Sequence, residues 1–214
     1  MNDDTAIVYV VDDDPSILRA LTRLLRAGGH AVSVFRSPRD FLAQHDAAVP
    51  GCIVLDLAMP GLNGLELQAA LAAAGCQRPI VFLSGHGDVP SSVRAMKAGA
   101  VDFLTKPFRE QDLLDAVATA IARDRMRRES ERVVSEMRAR FAALSARERE
   151  VMALVTRGLM NKQVAARTGL AEATVKMHRG QAMRKMAATS VADLVKMAEI
   201  LGDKLNSDVC RMSA

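Results

Sequence analysis

The chain has 214 residues, room for two domains of ordinary size, and half of them are apolar, so a packed core is assured. Aromatic residues make up 3%, with no Trp and one Tyr, which argues against a base-stacking platform for single-stranded nucleic acid. The net charge of +4 is unevenly spread: ten Lys and Arg against fourteen Asp and Glu leave −4 over residues 1–122, and nineteen against eleven leave +8 over residues 123–214. A basic half commonly meets a polyanion. The apolar runs are too short to span a membrane, and Met1-Asn2-Asp3-Asp4 is acidic where a signal peptide is basic, so a cytoplasmic address without membrane contact is expected. Cys52, Cys76 and Cys210 are odd in number and far apart, which suits packing residues rather than a disulfide framework or a metal spacing.

The first half alternates short β-rich runs with helical patterns, the signature of βαβ units around a parallel sheet. Strands are predicted at 7–11, 31–35, 52–56, 79–84 and 101–104. Pro15 opens a helix whose Ile17, Leu18, Leu21, Leu24 and Leu25 recur at helical spacing, and Gly28-Gly29 stops it. Further helices are predicted near 37–45, 64–74, 90–98 and from 109 onward. Five such units make a doubly wound (βα)5 α/β domain over residues 1–122.

No Pro or Gly interrupts residues 109–143, so the last helix is expected to run on through a linker, 123–143. Met126, Val133, Met137, Phe141 and Leu144 form a helical stripe along it. The stripe lacks three clean heptads, which favours a solvated connecting helix over a dimerising coiled coil. The remainder, 144–205 with a tail at 206–214, reads as an all-α four-helix domain. Ser145 followed by Glu148 is a capping box that opens a helix with Val151, Met152, Leu154 and Val155 on its apolar face, ended at Gly158. A helix at 161–168, a turn at Gly169-Leu170 and a basic helix at 172–186 give the helix-turn-helix pattern. A fourth helix, 190–201, carries Val191, Leu194, Val195, Met197 and Leu201 and closes the small core.

Charges stand at the ends of the apolar runs. Asp12 and Asp13 end Ile7-Val8-Tyr9-Val10-Val11, Asp56 ends Cys52-Ile53-Val54-Leu55, and Lys106 follows Val101-Asp102-Phe103-Leu104. Ligands of open parallel α/β sheets bind outside the carboxyl ends of the strands, so residues from different strands converge on one crevice. Gathered carboxylates repel one another unless a divalent cation sits among them, and a lysine beside them suits a further anion, most simply a phosphoryl group.

Val10-Val11-Asp12-Asp13-Asp14, Val54-Leu55-Asp56-Leu57-Ala58-Met59-Pro60-Gly61, Phe82-Leu83-Ser84-Gly85 and Asp102-Phe103-Leu104-Thr105-Lys106-Pro107-Phe108 together resemble the receiver domain of two-component response regulators, over residues 6–122. The resemblance implies that Asp56 accepts a phosphoryl group from a histidine kinase, as a carboxylate nucleophile forming an acyl phosphate. It implies Mg2+ held by Asp13, a side-chain oxygen of Asp56 and the backbone carbonyl of Ala58, with Asp12 acting through a water. Lys106 and Ser84 are implied as phosphoryl contacts, Phe103 as a switch aromatic, and Pro107 as the proline after a cis peptide. His86 reads as loop chemistry and is left out of the metal site.

Leu144-Ser145-Ala146-Arg147-Glu148-Arg149-Glu150-Val151, Gly158-Leu159-Met160-Asn161-Lys162-Gln163-Val164-Ala165 and Thr174-Val175-Lys176-Met177-His178-Arg179 look like a LuxR-type helix-turn-helix domain. With its receiver the chain is similar to FixJ/NarL-group transcription regulators along nearly its full length. That resemblance implies double-stranded promoter DNA as ligand, with Lys176, Met177 and Gly180 facing bases and Asn161, Lys162, Thr174 and Arg179 contacting phosphates. It implies further a homodimer when phosphorylated, formed on the fourth helix and fifth strand, and RNA polymerase as the transcriptional partner. The expectation is a phosphorylation-controlled DNA-binding regulator, not an enzyme. A regulator working without phosphorylation is one alternative. An aspartyl-nucleophile phosphatase is the other, disfavoured because Ala58 stands where such enzymes carry a second acid.

Overall fold

The computed structural model describes residues 6–85 and 89–202. His86, Cys210, the first residues and the 206–214 tail lie outside the described residues. The chain forms two compact units, Met1–Arg128 and Glu129–Ala214.

The first unit is built on β1 (Ile7–Val11), α1 (Pro15–Ala27), β2 (Ala31–Phe35), α2 (Pro38–Gln44), β3 (Gly51–Asp56), α3 (Gly64–Ala73), β4 (Ile80–Ser84), α4 (Val89–Lys97), β5 (Asp102–Thr105) and the start of α5 (Glu110–Ala142). All strand pairs are parallel, in the order β2-β1-β3-β4-β5. The order reverses at β1, so the ends of β1 and β3 flank the switch point where such sheets bind ligands.

Both faces of the sheet are covered, which is why its central strands read as continuous apolar runs. On one face Val8, Val10, Cys52, Val54, Val81 and Leu83 pack with Leu18, Leu21 and Leu25 of α1 and Leu113, Val117 and Ile121 of α5. On the other, Tyr9, Val11, Ile53, Leu55 and Phe82 pack with Phe41 of α2, Leu67 and Leu71 of α3 and Ala95 of α4. Burial at Cys52 pushes its thiol up to about 12, as suits a packing residue. Asp14 caps α1 by accepting from the Ser16 amide at 2.7 Å, with Pro15 at the first helical position.

The second unit holds α6 (Ala146–Thr156), α7 (Asn161–Thr168), α8 (Glu172–Met186) and α9 (Val191–Leu201). The capping box is present: the Glu148 amide donates to Ser145 Oγ at 3.2 Å, and the Ser145 amide donates to Glu148 at 2.7 Å. Phe141 and Leu144, the end of the linker stripe, are buried with Met152, Ala182, Met186 and Leu194. Met126 and Val133, earlier in that stripe, are exposed. Val151, Val155, Val164 and Val175 join α6, α7 and α8. Gly169 ends α7 in the left-handed conformation, at φ 70°, and so turns the chain into α8 without the strain a side chain would carry. No helix among the described residues is long and apolar enough to cross a membrane.

Candidate functional site

Three of the four strand-end charges meet. Lys106, just beyond β5, donates from Nζ to Asp12 Oδ2 at 3.0 Å and to Asp56 Oδ1 at 2.7 Å, so one ammonium joins carboxylates that follow β1 and close β3. The remaining carboxylate oxygens are held by backbone amides: Asp14 N–H donates to Asp12 Oδ1 at 2.9 Å and Ala58 N–H to Asp56 Oδ2 at 2.8 Å. Asp12 and Asp56 are buried, whereas Asp13 is exposed. Burial pushes the Asp56 carboxyl above the usual carboxylate range, against the pull of Lys106. Burial also works against the charge on Lys106, but its hydrogen bonds to Asp56 and Asp12 outweigh that and hold it above an ordinary lysine.

The backbone around these residues fixes their positions. Lys106 N–H donates to the Ser84 carbonyl at 2.7 Å, which ties the β5 end to β4, and the Lys106–Pro107 peptide is cis. Ser84 is buried at the β4 end. Phe103 is half-buried, with its ring centroid 6.2 Å from that of Phe82. Gly64 was not singled out in the sequence, yet it belongs to the site's construction: a Cβ there would come 2.5 Å from the Asp56 carbonyl oxygen. Its only sequence signal was a glycine opening a helix after the Pro60-Gly61 turn.

Three acids against one lysine leave two unbalanced negative charges at this crevice, and all are hard oxygen donors, the chemistry a magnesium ion takes. Among the described residues no three His, Cys, Asp or Glu side chains are close enough together to hold an ion between them. Lys106 bridges Asp12 and Asp56, and Asp13 stands apart from that bridge. Their oxygen chemistry suits the ion, while Lys106 occupies the position between Asp12 and Asp56.

In the second unit, Lys176 and Met177 are exposed on α8, and Lys162 is exposed on α7. Thr174 is half-buried, and a Cβ at Gly180 would meet nothing within 4 Å. Asn161 and Arg179, both expected to face phosphates, are also joined to each other: Arg179 Nη1 donates to Asn161 Oδ1 at 3.1 Å. That bond ties the start of α7 to α8 and leaves further guanidinium donors on Arg179.

The profile of the response regulator receiver domain matches residues 8–118, and that of the bacterial regulatory proteins of the luxR family matches residues 142–198. Nodulation protein W of Bradyrhizobium diazoefficiens is 55% identical over 201 residues, which is 94% of this chain and 88% of that protein. The transcriptional regulatory protein FixJ of Azorhizobium caulinodans is 42% identical over 91% of this chain and 92% of its own. Among solved structures, response regulator StyR superposes with a TM-score of 0.84 at 45% identity, covering 91% of this chain and 98% of that one. Full-length FixJ from B. japonicum gives 0.56 at 39% identity, covering 92% and 97%.

The chain belongs to the two-component response regulators with a LuxR-type DNA-binding domain, and it is a transcription-regulating member of that family. Its receiver implies a kinase partner and its second domain implies DNA. Receiver domains typically bind Mg2+ at the phosphorylation site, and regulators of this kind are typically not enzymes.

Proposed function

We propose that Asp56 is the phosphoryl acceptor and that its phosphorylation by a histidine kinase controls DNA binding. The observation that carries this reading is Lys106 joining Asp56 to Asp12 across the sheet's switch point, because it places a cation where a phosphoryl group on Asp56 would bring its charge. A carboxylate oxygen of Asp56 attacks the phosphorus of a phosphohistidine. The new O–P bond forms as the P–N bond breaks, and the imidazole leaves with the nitrogen electron pair. Asp13, an oxygen of Asp56 and the Ala58 carbonyl would hold Mg2+, with Asp12 reaching it through water, and the ion supplies positive charge for the transferring group. Lys106 keeps one phosphoryl oxygen, and the Ser84 hydroxyl donates to another. Ala58 brings no carboxyl to drive hydrolysis, so the acyl phosphate persists as a signal rather than turning over as an intermediate.

Phe103 is the residue that transmits the change, turning inward as Ser84 engages the phosphoryl group. The face it leaves includes α4, where Val89, Val93 and Met96 are 68%, 44% and 45% exposed at helical spacing. An apolar stripe of that kind supports dimerisation through α4 and β5. The dimer places two α8 helices on a two-fold operator, Lys176 and Met177 at base edges and Lys162, Thr174, Asn161 and Arg179 at phosphates, and presents RNA polymerase with a bound regulator.

The test is to treat the full chain with a small-molecule phosphoryl donor and magnesium, then measure native mass and affinity for promoter DNA. Dimer formation and tighter DNA binding, both lost in Asp56→Asn, support the reading. Unchanged mass and affinity in protein shown to carry the phosphoryl group on Asp56 would overturn it.

A further inference from the structure

We propose that the receiver unit has a second ligand site, for a small organic anion, at the end of the sheet opposite Asp56. A cavity of about 510 Å³ opens there, where α3 ends and the chain enters β4, beside the last receiver turns of α5. Its volume is in the range of ordinary small-molecule pockets. Among the described residues three arginines line it, Arg78, Arg123 and Arg127, and no Asp or Glu does. Leu71, Pro79 and Ile80 supply apolar wall.

Arg127 and its neighbour Arg128 are built into the fold. Asp124, fully buried on α5, accepts from Arg127 Nη2 at 2.6 Å, Arg128 Nε at 2.8 Å and the Gly51 amide at 2.9 Å. Arg128 is further occupied by the carbonyls of Ala47, Ala48 and Val49. Arg127 and Arg128 thus share the Asp124 carboxylate, and Arg78 and Arg123 are not paired with it.

Arg78 is 5% exposed and lies over the Tyr9 ring at 4.3 Å. Its Nη2 donates to the carbonyls of Asp46 and Val49 at 2.7 and 2.9 Å, while its Nε and Nη1 are buried without a hydrogen-bond partner among the described residues. Native proteins seldom leave such donors unsatisfied. The Arg123 side chain is exposed and makes no ion pair or hydrogen bond among the described residues. What the cavity lacks is an anionic hydrogen-bond acceptor, and what its walls add is room for an apolar body. A carboxylate or phosphate monoester on a short apolar frame supplies both, with oxygens that guanidinium forks bind in pairs.

Calorimetric titration of the full chain with benzoate, succinate, phenyl phosphate, inorganic phosphate and neutral benzamide tests this. Saturable one-to-one binding is expected for at least one of the three organic anions and not for benzamide, with inorganic phosphate weaker than the best of them. Arg123→Glu should weaken it at least about tenfold without altering thermal unfolding, and Asp56→Asn should leave it unchanged. The site does not exist if no organic anion saturates by about 10 mM, or if Arg123→Glu binds as the parent does. Inorganic phosphate binding as tightly as the best organic anion would overturn the assignment to an organic ligand.

Discussion

Gly64 and Asp56 are in such close approach that a side chain at residue 64 has no place: its Cβ would lie 2.5 Å from the Asp56 carbonyl oxygen and 3.0 Å from Phe82 Cε1. The Gly64 amide meanwhile donates to the Leu57 carbonyl at 3.0 Å, so α3 starts against the strand end that carries Asp56. Gly64→Ala is expected to push the two apart, at a cost of about 1–3 kcal/mol in urea unfolding, and to slow phosphoryl uptake from a small-molecule donor. Uptake at the parent rate in a destabilised variant would show that α3 does not position the acceptor.

Lys106 is the shared partner of Asp12 and Asp56, both buried. Lys106→Met leaves two carboxylates facing each other, and without divalent cation it is expected to destabilise the receiver by about 2 kcal/mol at neutral pH. Added magnesium should return part of that stability, more than it adds to the parent. Unfolding curves with and without the ion decide it.

Much of this arrangement was legible in the sequence. β1, β2 and the helices of the second unit fall within a residue or so of their predicted bounds, since turn residues and apolar periodicity agree there. Which of Asp12 and Asp13 turns inward was not legible. Val10 and Val11 are both fully buried on opposite faces, so alternation gives no inside and outside to extend into the next two residues. The Asp124, Arg78 and Arg128 contacts were equally hidden, because Asp124 and Arg128 reach partners some 70 to 80 positions away and Arg78 about 30. Local pattern carries no trace of pairings at that separation.

Gly180 sits inside α8, where a Cβ would meet open space. Gly180→Ala is expected to stabilise the second unit by about 1 kcal/mol in thermal or urea unfolding, the helix-propensity difference. Loss of DNA affinity alongside that gain would locate close backbone approach to the groove at this residue. Unchanged affinity would assign readout to Lys176 and Met177 without it.

Acid should weaken both units through specific carboxylates. At Glu148 burial favours the neutral form, but Lys185 Nζ at 2.7 Å and the Ser145 amide hold it below the usual glutamate range. Asp124, against its own burial, is held down by Arg127, the Gly51 amide and Arg128. A carboxyl with a lowered folded-state value contributes stability that is present above its unfolded value and is lost as pH falls through the folded one. Melting temperature is therefore expected to hold to about pH 5 and fall below about pH 4. Glu148→Gln should flatten the fall for the second unit and Asp124→Asn for the receiver. A fall of parent steepness in both variants would remove these residues from the acid response.

The most direct test of the central claim is reductive trapping of the full chain after exposure to a phosphoryl donor with magnesium. Borohydride converts an aspartyl phosphate to homoserine, which peptide mass spectrometry locates. Homoserine at position 56 and at no other aspartate is the expected result. Trapping at Asp12 or Asp13, or none in protein whose DNA affinity still rises with the donor, would contradict it.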